Sequence, residues 1–155
     1  MQKQYIVGGL LLAMLWSVDL YAYDVDMAKK INKTFSHYSL ENLNNSKMLV
    51  DTETVMKMLK KKEDFLFLDI RTINEIGVVG LRTDNTLEIP FDVLFQKENL
   101  DRLPKEQAIV IVCHSGNRAL QAATSLEMIG FKNAKVLYGG IMALAKSDST
   151  KNVSR

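Results

Sequence analysis

Two runs constrain the fold of this chain more than anything else in it: Phe65-Leu66-Phe67-Leu68 closing on Asp69, and Ala108-Ile109-Val110-Ile111-Val112 closing on Cys113. Each is apolar without alternation, the pattern of a strand buried on both faces in a parallel sheet. Lys135-Val136-Leu137-Tyr138 before Gly139-Gly140 repeats it, Met48-Leu49-Val50 opens it, and Thr86 to Ile89, stopped by Pro90, is a weaker instance. Helical stretches lie between. Asp51 and Thr52 are N-cap candidates for a helix through Lys62, with Glu53 in the first turn and Lys60-Lys61-Lys62 in the last, matching the macrodipole at both ends. The clearest helix runs from Asn117 to Ile129, with Ala119, Ala122, Ala123 and Leu126 on one face and Gly130 at its end. Strands alternating with helices predict an α/β fold: a central parallel sheet of about five strands flanked by helices on both faces, with ligands at the carboxyl ends of the strands.

Composition sets limits on the rest. A chain of 155 residues, 47% hydrophobic and 25% charged, has the makeup of an ordinary globular domain, not of a disordered chain, a collagen or a multi-span membrane protein. Twenty Lys and Arg against 18 Asp and Glu leave a formal charge of +2, so no broad field gathers nucleic acid or an anionic bilayer. Partners must be recognised locally. Residues 1–22 carry Lys3, an uncharged apolar run from Ile6 to Val18 and a short polar segment ending at Ala22, the order of a secretory signal peptide. Thirteen residues at about 1.5 Å each span only ~20 Å of a ~30 Å hydrocarbon layer, which disfavours a stable membrane anchor. The expected location is exported, periplasmic. Residues 23–47 read as an N-terminal helical extension, with Val25, Ala28, Ile31 and Phe35 at near-helical spacing before a polar connector, and a protein partner is one use for it. The main domain is expected over 48–146 and a polar tail over 147–155.

The only cysteine, Cys113, allows no internal disulfide and no cysteine zinc cage, and His37 and His114 lack metal-ligand spacing, so no metal or cofactor is expected. His37 belongs to the extension and is expected at the surface. Cys113-His114-Ser115-Gly116-Asn117-Arg118 follows the most apolar strand and opens the best helix. A thiol there meets backbone N–H groups, the positive end of a helix dipole and the charge of Arg118, all of which favour thiolate. This requires the thiol to be reachable from outside.

Those residues resemble the rhodanese family. Cys113 to Arg118 is similar to its six-residue active-site loop, Asp69-Ile70-Arg71 with Glu75 to its Asp-x-Arg-x-x-x-Glu motif, and Tyr138-Gly139-Gly140 to its diglycine near the end. The resemblance covers about Met48 to Leu144 and implies a single rhodanese-like domain. It implies that Cys113 takes a sulfane sulfur from a small anionic donor such as thiosulfate, holds it as a persulfide and passes it to cyanide or a thiol. His114, Ser115, Gly116, Asn117 and Arg118 would surround the sulfur, while Asp69, Arg71 and Glu75 would support the loop. Arg118 would draw the donor and brace the loop, with a structural pairing to Asp69 or Glu75 as a compatible role; His114 would add charge near neutral pH, or face solvent. Related phosphatase loops place one more residue between cysteine and arginine, so the shorter ring here favours a sulfur atom over a phosphoryl group. The chain departs from the family over Gly77 to Thr86, a longer loop carrying Arg82 where a Gly-His-Ile-Pro-Gly-Ala segment is common, and at Ile141-Met142-Ala143-Leu144, which lacks the usual tryptophan. The competing readings are a non-catalytic binding or sulfur-relay module and a cysteine-based phosphatase or arsenate reductase.

Overall fold

In the computed structural model, which describes residues 23–36 and 48–152, the two apolar runs are neighbouring parallel strands. The elements in chain order are α1 (Val25–Phe35), β1 (Leu49–Val50), α2 (Thr52–Lys61), β2 (Phe65–Asp69), α3 (Ile73–Val78), β3 (Thr86–Glu88), α4 (Lys97–Leu100), β4 (Ala108–Val112), α5 (Asn117–Met128), β5 (Ala134–Leu137) and α6 (Gly140–Asn152). The strands form one five-stranded sheet in the order β1-β5-β4-β2-β3, and every pairing is parallel. In β2 and β4, Phe65 stands opposite Ala108 and Asp69 opposite Val112, so Cys113 leaves the sheet at its centre.

Successive residues of β4 serve opposite faces, as the pleat requires. Ile109 and Ile111 join Leu68, Ile70 and Val136 under the small face of α5, where Ala119, Ala122, Ala123 and Leu126 let helix and sheet approach closely. Val110 and Val112 join Val50, Phe65, Phe67 and Leu137 on the other face, covered by Val55 and Met58 of α2 and Ile141 of α6. Both faces are therefore buried, which explains why neither strand alternates in sequence.

Helix α2 begins with Asp51, whose carboxylate accepts the Thr54 N–H at 2.7 Å, and ends at Lys62 in a left-handed conformation with φ 53°. Gly77 and Val78, read from sequence as loop, form the last turn of α3; Thr72 and Glu75 make a reciprocal capping box that outweighs the poor helix propensity of Gly77. Helix α1 is present as expected and contacts α5, but Met27 and Ile31 on it remain exposed. Helix α6 continues to Asn152, past the boundary expected at 146. Among the described residues no helix is long and apolar enough to cross a membrane. The leader, the connector and His37 lie outside the described residues.

Candidate active site

Cys113 follows β4 and keeps its alternation, so its side chain falls on the α5 face with Ile109 and Ile111. Helix α5 starts four residues later. Its N-cap is Gly116, at φ 103°, a conformation open to glycine, and this residue has no side chain with which to accept first-turn amides. The cysteine sulfur fills that role: Sγ accepts the N–H of Gly116 at 3.1 Å and of Ala119 at 3.4 Å. The positive end of the α5 dipole is thereby directed at the sulfur.

A second helix start meets the loop from the other face. Ile141 N–H donates to the Cys113 carbonyl at 2.9 Å, and Met142 N–H to the His114 carbonyl at 3.3 Å. Gly140, at φ 61°, lies so near the loop that a Cβ there would stand 2.6 Å from the His114 oxygen and closer still to that of Cys113. The diglycine after β5 thus has a steric cause, since α6 can dock on the loop only if residue 140 has no side chain.

The charged residues sort into two separate pairs. Arg118 grips Glu75 bidentately, NH1 to Oε2 at 2.9 Å and NH2 to Oε1 at 2.5 Å, joining α5 to α3. Of the two carboxylates open to it, Arg118 takes Glu75 and not Asp69. The Arg118 hydrogen bonds, first, and then the Thr72 backbone N–H hold the Glu75 carboxyl down at about 2. Glu75 in turn raises the affinity of Arg118 for its proton; burial opposes this, and the neighbouring Cys113 adds to it. Asp69 and Arg71 instead close on each other at the end of β2, both buried, with Arg71 Nε 2.9 Å from Oδ1, NH2 2.6 Å from Oδ2 and the Arg71 N–H 3.1 Å from Oδ1. Asp69 also sits beside Val112 in register, one residue from the thiol. His114, Ser115 and Asn117 are exposed on the outer side of the loop. Arg82 lies against Gly80, and its loop ends with Asn85 bonded to the Phe65 carbonyl at 2.8 Å, at the amino end of β2. Among the described residues no group of three His, Cys, Asp or Glu side chains could hold a metal ion.

Access to the thiol corrects the sequence reading. Cys113 is 1% exposed, so the requirement of a thiol open to solvent is not met by this conformation of the loop. The cause is the strand's own alternation, which directs the side chain into the apolar layer beneath α5 while the turn at Gly116 closes over it. The sulfur is solvated by amides on one side and bounded by carbon on the other. Ala119, Gly140, Ile141 and Met142 also belong to the site and were not identified from sequence. Three of them act only through a main-chain N–H, which leaves no mark in residue type; the usable signal was the diglycine, read as a motif without its steric role.

A twice-capped loop carrying a single cysteine at the centre of a five-stranded parallel sheet defines a class, and comparison with known proteins places it. The sequence model of the rhodanese-like domain matches residues 51–147, and the chain belongs to that family. A protein from Allochromatium vinosum named sulfurtransferase is 35% identical over 97 residues, 63% of this chain and 87% of that one. Among solved structures, a rhodanese-like domain protein from Staphylococcus aureus superposes with a TM-score of 0.55 at 26% identity, covering 62% of this chain and 89% of that one. A human single-domain sulfurtransferase shares the fold with a TM-score of 0.54 at 20% identity, over 64% of this chain and 96% of that one.

Proposed function

We propose that the protein is an exported sulfurtransferase that carries a sulfane sulfur on Cys113, taking it from thiosulfate or a similar anionic donor and passing it to cyanide or a thiol. Family membership and a relative named sulfurtransferase support sulfur transfer in general. The donor, the acceptor, the persulfide and the export are our own reading. The observation that carries it is the sulfur's place as acceptor of the Gly116 and Ala119 amides at the head of α5.

In the first half-reaction the Cys113 thiolate attacks the outer sulfur of thiosulfate. A new sulfur–sulfur bond forms, the bond to the sulfonate sulfur breaks, and its electron pair leaves with sulfite. In the second, the acceptor attacks the outer sulfur of the persulfide and takes it, while the electron pair of the broken bond returns to Cys113 as thiolate. Main-chain donors fixed in place lower the cost of the anion at each stage, because they need no reorganisation during the reaction. Arg118 is held at the head of α5 by Glu75, and the dipole of α5 adds its own positive field at the sulfur. Since the resting loop covers the thiol, a local opening admits the donor, and the amides stand in place around the sulfur once the loop has closed again.

The test is intact mass after incubation with thiosulfate. Gain of one sulfur, removed by cyanide and absent in Cys113→Ser, is the expected result. No gain, with a protein partner bound instead, favours the relay module, which the exposed Met27 and Ile31 on α1 support. Turnover of a phosphate ester without sulfur gain favours the phosphatase. For the export proposal, amino-terminal sequencing of the protein recovered from cells is expected to begin at Tyr23.

A further inference from the structure

We propose that Gly140 and the first-turn amides of α6 are positioning residues for sulfur transfer, which turn the N–H groups of His114 and Ser115 toward the face that carries the sulfur. This rests on the sulfurtransferase reading. In a trans peptide the carbonyl of one residue and the N–H of the next point in opposite directions in one plane. The Cys113 carbonyl is held by Ile141 N–H at 2.9 Å and the His114 carbonyl by Met142 N–H at 3.3 Å. The planes they share with the N–H groups of His114 and Ser115 are thereby oriented too.

Helix α6 packs on the sheet face of Val110, Val112 and Leu137, whereas the Cys113 side chain lies on the opposite face with Ile109 and Ile111. The loop's carbonyls are therefore drawn to one side and its N–H groups to the other. With Gly116 and Ala119, already on Sγ, the N–H groups of His114 and Ser115 complete a set of donors large enough for a sulfur longer than the thiol itself. The arrangement depends on glycine at 140, because a Cβ there would displace both carbonyls.

Two variants and the wild-type chain test this. Met142→Pro deletes one donor in the first turn of α6, where the N–H has no partner within the helix to lose, and Met142 is 45% exposed, so little packing is lost. Gly140→Ala brings the Cβ. Sulfur loading by intact mass is expected to slow about 10²-fold in either, the scale of one lost oxyanion donor, and the pH at which the thiol ionises, read by ultraviolet thiolate absorbance, is expected to rise. A brace of the fold alone would lower the melting temperature and leave that titration where it was; this result, or loading at the wild-type rate, overturns the proposal. If Gly140→Ala does not fold, Met142→Pro decides. In the wild-type chain, independently of either variant, the His114 and Ser115 amide resonances are expected to shift on loading. If the wild type loads and they stay in place, the positioning role is wrong; if it never gains sulfur, the sulfurtransferase reading itself fails.

Discussion

Glu75 serves two elements with one carboxylate. Its Oε2 accepts the Thr72 N–H and hydroxyl, each at 3.0 Å, which starts α3, and both oxygens hold Arg118 at the head of α5. Its folded pKa of about 2 lies below the 4.5 of an unperturbed glutamate, so the carboxylate contributes stability that is complete above about 4.5 and is lost as pH falls toward about 2. Glu75→Gln keeps a capping side chain and removes the charge. Urea midpoints are expected to show a deficit of about 1 kcal/mol at pH 7, modest because both partners are near one-third exposed, and the deficit should shrink below pH 4.5. Asp69 and Arg71 are a different case, since both are buried. Asp69→Ala leaves the guanidinium unpaired out of water and is expected to cost roughly 3–5 kcal/mol in chemical unfolding, while replacing both by apolar residues of similar volume should cost far less. Cys113, Arg118 and Glu75 announce themselves by residue type. That the two acids take different arginines is a matter of chain path, which spacing alone does not settle.

Among the elements, β2, β4 and α5 were legible because the cause of their burial is written along them: unbroken apolar runs in the strands and alanines at helical spacing in α5. The limits of β2 match the sequence reading, while β4 and α5 each end one residue sooner, at Val112 and Met128. The small face of α5 makes a direct prediction. Ala123→Leu inserts a larger side chain into a fully buried position against β4 and β5, and calorimetry is expected to show a loss of about 1–3 kcal/mol from overpacking. Helix α3 was illegible because it has only six residues, one of them glycine, and rests on a side-chain cap and the burial of Ile76. Its signal is Thr72 three residues before Glu75, of which the sequence reading uses only Glu75, as part of an acidic motif. For α1 the period was visible, but not how much of its apolar face would stay exposed, because that depends on where the helix docks.

For the molecule as a whole, the covered thiol ties chemistry to motion. Alkylation of Cys113 by a small haloacetamide is expected to run slower than that of a free thiol ionised to the same extent, at a rate that low urea hardly changes, the signature of a local opening of the loop. A rate that climbs with urea as steeply as global unfolding does would show that the thiol is reached only when the domain melts, and the enzyme proposal would not survive it. The sheet's margins have their own consequence. Its outer ribbons, β1 and β3, are two and three residues long. A neighbour seeking to extend the ladder finds almost no unpaired main chain to grip, so crowding at high concentration should leave the folded protein dispersed and free of fibrils.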